Sequence, residues 1–375
     1  MIEKRTRIYL DNAATTPLLP QARAAMEPYL SELCGNASSP YAVSRRAKAA
    51  IDEARREVAA LINAQPDEIV WTSGGTESDN WALLGVALAN LETRGHFIVS
   101  SVEHHAVLEP IQTLRQLGFE VDEARVDENG VLLCGEIQPL LRPDTLLVCV
   151  MRVNNETGVV QPVEEITSLL PQAVLLHSDG VQAAGKMALD VEKLGVDLMA
   201  ISAHKFGGPR GVGALFIRRG TRMQSLLHGG AQERGRRAGT ENVPAIVGMG
   251  VAAQVARENL EDNIRHLNEL RERFESGLNR VEGACVNGRN APRAPHVSNV
   301  SLLGRRAESL AMSLDLRGFA VGTGSACASG ALEPSHVLTA MGLSQEAARS
   351  ALRVSFAWQN TQSEVDELLA ELMKM

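Results

Sequence analysis

Short apolar runs alternate with amphipathic stretches along most of the chain. Residues 68–72, 96–100, 146–151, 174–177, 198–201 and 213–217 read as buried strands, several bounded by Gly or polar turn residues. Between the strands helical spacing recurs. In 45–61, Ala47, Ile51, Ala54, Val58 and Leu61 share one face and charge occupies the other. This alternation predicts an α/β fold with a mostly parallel central sheet. Residues 246–281, rich in Ala, Leu, Glu and Arg, predict one long helix bridging a large domain and a smaller C-terminal one. Pro292 and Pro295 follow, then a strand at 297–302, and 364–373 closes the chain as an amphipathic helix.

Composition narrows the picture. A chain of 375 residues exceeds one ordinary core and predicts two domains. Hydrophobic content of 45% with 22% charge fits a packed protein and argues against wholesale disorder. The net charge of −8 argues against a general nucleic-acid surface. No targeting segment and no apolar stretch of membrane-spanning length is visible. Cys34, Cys134, Cys149, Cys285 and Cys327 are scattered and form no CxxC pair, which predicts reduced thiols in a cytoplasmic protein without a metal site.

Five segments carry candidate chemistry. Thr72-Ser73-Gly74-Gly75-Thr76-Glu77-Ser78 lies between a strand and a helix, where backbone N–H groups and the Thr76 hydroxyl suit a phosphate; a plain capped turn is the alternative. Asp179, just past a buried strand, stands where open α/β sheets bind ligands and can pair with a protonated ring nitrogen, or can simply be a turn residue. In Ser202-Ala203-His204-Lys205-Phe206-Gly207-Gly208-Pro209 a lysine follows an apolar strand, a setting for Schiff-base chemistry, against the alternative of a surface lysine. In Gly322-Thr323-Gly324-Ser325-Ala326-Cys327 small residues present one thiol; an inert buried cysteine is the alternative. Arg353, inside the apolar run Leu352-Arg353-Val354-Ser355-Phe356, needs an anionic partner if buried and can grip a carboxylate, or can face water from an edge strand.

Together these segments resemble the cysteine desulfurases of the NifS/IscS type, fold-type I enzymes that use pyridoxal 5′-phosphate (PLP). The resemblance runs nearly the full length, from Tyr9-Leu10-Asp11-Asn12-Ala13-Ala14-Thr15-Thr16 through 72–80, Glu103-His104-His105-Ala106-Val107, Val153-Asn154-Asn155-Glu156-Thr157-Gly158 and 202–205. It continues in Arg237-Ala238-Gly239-Thr240-Glu241-Asn242, Gly324-Ser325-Ala326-Cys327 and Arg353-Val354-Ser355. It implies an aspartate aminotransferase-like fold with a large PLP-binding domain at 15–255. A small α+β domain at 1–14 and 256–375 would carry the Cys327 loop.

The resemblance also implies roles. Lys205 carries PLP; Gly75, Thr76, Ser202 and His204 hold its phosphate, with Thr240 reaching in from the partner of a homodimer. Asp179 pairs with the ring nitrogen and Gln182 with the ring hydroxyl, and Asn155 also contacts the cofactor. His104 stacks on the ring and moves protons, and Lys205 takes the Cα proton. Asn155 and Arg353 bind the carboxylate of L-cysteine, and Cys327 takes its sulfur as a persulfide, leaving L-alanine. His105 and His177 are expected to be structural. A sulfur-acceptor protein is implied, in iron–sulfur assembly, tRNA thiolation or DNA phosphorothioation. A selenocysteine lyase, a PLP aminotransferase and a non-catalytic assembly protein are the competing expectations. Three features depart from the family pattern. Asn36-Ala37-Ser38-Ser39-Pro40-Tyr41 lacks the usual His, Ala357 replaces a Gly, and the chain stops soon after its last helix.

Overall fold

In chain order the strands are β1 (Ile8–Tyr9), β2 (Ile69–Thr72), β3 (His96–Ser100), β4 (Glu120–Ala124), β5 (Thr145–Cys149), β6 (Leu175–Asp179), β7 (Leu198–Ser202), β8 (Gly213–Ile217), β9 (Ala284–Val286), β10 (Val297–Leu302), β11 (Phe319–Ala320), β12 (Gly322–Thr323) and β13 (Ala351–Ser355). They come from a computed structural model that describes residues 7–323 and 334–375. Seven strands form the main sheet in the order β2-β8-β7-β6-β5-β3-β4, parallel except for β8, which runs against both neighbours.

Burial on both faces explains why these strands read as nearly continuous apolar runs. Side chains alternate between the faces. Ile98, Val148 and Met199 join the core beneath helices Ala42–Leu61 and Val243–Glu258, whereas Phe97, Val99, Leu147 and Leu198 pack with Trp81 and Val86 of helix Gly75–Ala89. Strand β4 was not anticipated. It is an edge strand whose Glu120 and Glu123 face water, so only Val121 and Ala124 carry an apolar signal.

A second core gathers Leu10, Leu267, Leu270, Phe274, Leu310, Leu352 and Leu368. It sits on the antiparallel sheet β12-β13-β10-β9 and the short parallel pair β1-β11. The expected single helix over 246–281 is instead two, Val243–Glu258 and Leu260–Gly277. They meet at Asn259, whose backbone N–H and side-chain Nδ2 both donate to the Val255 carbonyl, at 3.1 and 2.8 Å. The break lets the first helix bury its residues in the main core and the second turn Leu267, Leu270 and Phe274 toward the other core.

Among the described residues no helix is long and apolar enough to cross a membrane, and no cluster of His, Cys, Asp or Glu could hold a metal. Cys34, Cys134, Cys149 and Cys285 are free thiols.

Candidate active site

Because β2, β3, β5, β6 and β7 point the same way, their carboxyl ends share one edge of the sheet, where open α/β folds place ligands. Thr72 ends β2 and leads into helix Gly75–Ala89; Asp179 ends β6; Ser202 ends β7, and a short 3₁₀ turn, Ala203–Lys205, follows it. A cavity of about 350 Å³ opens there. Gly75, Thr76, Ser202, His204, Asp179, Gln182 and Lys205 line it. His104, Asn155 and Arg353 complete it. Ten of the residues expected from the sequence therefore surround one space.

Arg353 is delivered by β13, in the middle of the smaller sheet, opposite Asn299 on β10 and Gly322 on β12. The edge-strand alternative is thereby excluded: the side chain is 4% exposed. Its guanidinium donates to the Asn155 carbonyl (3.0 Å) and to Asp11 Oδ1 (2.9 Å).

Lys205 Nζ donates to the carbonyls of Ala13 and Ala14, at 2.6 and 2.8 Å, so it turns inward and is no solvated surface amine. Asp179 is buried and accepts the Val181 N–H at 2.8 Å. Burial pushes its carboxyl up to about 6, against the pull of that hydrogen bond and of Lys205. Gln182 donates to the Ala13 carbonyl (2.9 Å) and pairs through Oε1 with His296 Nε2 (3.1 Å). His204 Nδ1 meets Thr15 Oγ1 at 3.1 Å.

The His104 Nδ1 accepts the Ala106 N–H at 3.0 Å, which assigns the ring proton to Nε2. Burial, with Lys205, His105 and Arg353 nearby, brings its pKa down to about 4, so the ring is neutral at physiological pH. His204 is likewise lowered to about 4, first by burial and then by Lys205 and Lys186.

Some groups at the site were not anticipated. Asp79 lines the cavity and pairs with His177 at 3.0 Å. Glu103, buried beside them, accepts the Met151 N–H and is pushed up to about 8 by burial. The only sequence signal for either was its place inside a recognised segment, 72–80 for Asp79 and 103–107 for Glu103. His177 is wholly buried against Asp79, a structural placement, while His105 lies half-exposed with its ring 4.9 Å from that of His336. Thr240 is exposed and lines no part of its own chain's cavity. Tyr41 is exposed too. Cys327 lies outside the described residues.

The cavity fits a phosphorylated aromatic ring with a basic nitrogen. The phosphate end has a helix start that no side chain caps, since Gly74 stands at the cap position. A Cβ at Gly75 would come within 2.7 Å of Val181 Cγ2, so only glycine leaves this wall open. The buried Asp179 carboxyl lines the same cavity and suits a ring nitrogen.

Comparison with known proteins agrees with this geometry. The aminotransferase class-V family model matches residues 8–368. The cysteine desulfurase IscS of Methanosarcina thermophila is 45% identical over 363 residues, covering 96% of this chain and 90% of that protein. A solved NifS-like protein superposes with a TM-score of 0.92 at 38% identity, covering 98% of this chain and 99% of the other. The structure of SspA in complex with cysteine gives a TM-score of 0.85 at 34% identity, covering 94% and 99%.

Proposed function

The chain belongs to the aminotransferase class-V family, among its cysteine desulfurases, and we propose that it moves the sulfur of L-cysteine onto Cys327 as a persulfide and releases L-alanine. The observation that carries this reading is the single cavity in which Lys205, Asp179 and Arg353 converge from three separate elements. Enzymes of this family depend on PLP. Here Lys205 would bind it, with Thr76, Ser202 and His204 at the phosphate, Asp179 at the ring nitrogen and Gln182 at the ring hydroxyl. Thr240, exposed in its own chain, would complete the phosphate site of a second copy in a homodimer.

PLP, when bound, supplies an electron sink that stabilises negative charge next to the amino-bearing carbon. Arg353 and Asn155 orient the substrate by its carboxylate, the guanidinium through its remaining N–H groups. Lys205 Nζ, in the same cavity, would move a proton at Cα. His104 presents an Nε2–H to the same space. Neutral imidazole accepts a second proton poorly here because burial and two nearby cations oppose the charged form. Cys327 attacks the substrate sulfur: its S–H is lost, an S–S bond forms, the C–S bond breaks, and the carbon left behind is protonated to give alanine. The atoms balance without an outside oxidant, since L-cysteine and a thiol become L-alanine and a persulfide. The persulfide then passes to an acceptor protein.

Incubation with L-cysteine and a reducing thiol is expected to yield sulfide and alanine in equal amounts. Cys327→Ala is expected to abolish both while leaving the yellow cofactor band in place, and borohydride is expected to fix the cofactor on Lys205. Full activity in Cys327→Ala would overturn the assignment.

A further inference from the structure

We propose that Asp11 is a positioning residue that holds Arg353 in place for the substrate carboxylate; this rests on the reading of Arg353 as the carboxylate anchor. A guanidinium has five N–H groups in a fixed fork. One on each terminal nitrogen is committed, to the Asn155 carbonyl and to Asp11 Oδ1, so one on each remains for a ligand. The two contacts fix both the tilt and the depth of the fork in the cavity wall. Asp11 itself does not line the cavity and acts only through Arg353. Gly322 closes the remaining side, where a Cβ would fall 2.7 Å from Asp11 Oδ1 and 3.1 Å from Arg353 Nε.

Asp11 is well placed to serve as a fixed reference. Its neighbour Leu10 is held by Ala320 and Ser355 through backbone hydrogen bonds of 2.8 Å each. Its own carbonyl accepts from the Ala14 N–H and the Tyr9 hydroxyl, both at 3.0 Å. Two residues further on, the Ala13 and Ala14 carbonyls hold Lys205 Nζ. One short rigid segment thus sets the position of the carboxylate anchor relative to the amine that works at Cα. A displacement of such a group by a fraction of an ångström is enough to lose affinity or rate.

Charge and position make opposite predictions, which gives the test its force. Asp11 is an anion beside the anchor, so removing its charge alone would strengthen attraction for a carboxylate and lower KM. Loss of positioning would raise KM. Asp11→Ala is expected to raise the KM for L-cysteine about tenfold, with kcat within about threefold of wild type. Asp11→Asn keeps an oxygen acceptor and is expected to return KM to within about threefold of wild type. Cysteamine has the same thiol and amine but no carboxylate; in spectral titrations of the holoenzyme it is expected to bind wild type and Asp11→Ala equally. An unchanged or lower KM in Asp11→Ala, or an equal weakening of cysteamine, would overturn the inference. Arg353→Ala separates the two layers. If it leaves the KM for L-cysteine unchanged, the carboxylate reading fails and the inference with it; if it raises KM while Asp11→Ala does not, the inference alone fails.

Discussion

Asp79 Oδ1 and His177 Nε2 meet at 3.0 Å, both wholly buried, next to Asp179. Burial, then Asp179 and Glu103, push the Asp79 carboxyl well above its ordinary range, while burial lowers His177 to about 4. Burial thus opposes charge on both groups and favours a hydrogen bond between neutral partners over an ion pair. Protonated Asp and Asn are nearly isosteric and both neutral, so Asp79→Asn is expected to keep activity within about threefold. Asp79→Ala leaves the buried imidazole without its partner and is expected to cost about 1–3 kcal/mol of stability. Denaturant unfolding of the two variants, with turnover of L-cysteine, checks this. A large loss of activity in Asp79→Asn would show that the carboxylate is needed ionised.

Much of this arrangement was legible in the sequence, for a physical reason. Strands β3, β8 and β10 were placed to the residue because buried apolar runs bounded by turn residues give a strong local signal. The same holds for Gly75, Thr76, Asp179, Ser202, His204 and Lys205, which stand at or just past the ends of β2, β6 and β7 and so carry a positional cue of their own. Contacts made across the chain left no such cue. Asp11 and Arg353 are 342 positions apart, and the carbonyls that hold Lys205 belong to two alanines some 190 residues earlier. Backbone acceptors have no residue signature at all. The junction at Asn259 was hidden because helical periodicity and composition run on through it, while the cause of the break is a change in which core the helix faces.

Arg55 and Glu233 form a bidentate pair at 2.7 Å, with both side chains under 10% exposed. Arg55 also donates to the Ile69 carbonyl and lies over the Trp71 ring, while Glu233 accepts the Trp71 N–H. Glu233 and Arg234 adopt left-handed backbone, at φ 46° and 59°, which non-glycine residues hold only when surrounding contacts over-determine it. The segment leads to Arg237, which grips Glu77 in the first turn of the helix beside the cavity. Glu233→Ala strands a buried cation and is expected to destabilise the protein by about 3–5 kcal/mol. The double variant Arg55→Met with Glu233→Leu is expected to lose less than Glu233→Ala alone. Urea midpoints of the single and double variants decide the matter; a single variant as stable as wild type contradicts it.

Burial, then Lys205, His105 and Arg353, hold His104 down at about 4, so in the cofactor-free chain it is neutral between pH 5 and 8. Replacing it by Gln keeps a donor but removes the ring. Turnover is expected to drop by about two to four orders of magnitude if the imidazole handles protons in the rate-limiting step. The cofactor band should persist, because Lys205, Asp179 and the phosphate wall are untouched. A pH–rate profile identical in shape to wild type, at a lower plateau, is the expected outcome. A profile that loses one limb would instead assign that limb to His104.

Stability of the cofactor-free protein should fall as pH rises above neutrality. Burial raises Glu103 to about 8 and Glu156 to about 7, from ordinary values near 4.5. For each, the folded state binds a proton that the unfolded chain has released. The stabilisation is complete below the unfolded pKa and is lost as pH rises through the folded one. His104, His177 and His204 act oppositely: each is lowered to about 4 from 6.5, so their contribution is complete above 6.5 and lost as pH falls through 4. Between pH 4.5 and 6.5 the two sets oppose each other. Above 6.5 the glutamates are joined by Asp79, whose carboxyl is raised well above its ordinary range by burial, and opposed by Lys186, whose ammonium is pushed well below its ordinary value by burial. Three carboxyls then stand against one amine. The melting temperature is therefore expected to drop between pH 6.5 and 8.5. Glu103→Gln keeps the acceptor for the Met151 N–H but cannot ionise, so it should show a smaller drop over the same interval. Melting curves at the two pH values, for wild type and variant, test the sign directly. A wild-type protein that melts at the same or a higher temperature at pH 8.5, with Glu103→Gln behaving identically, would contradict the raised Glu103 and Glu156 carboxyls.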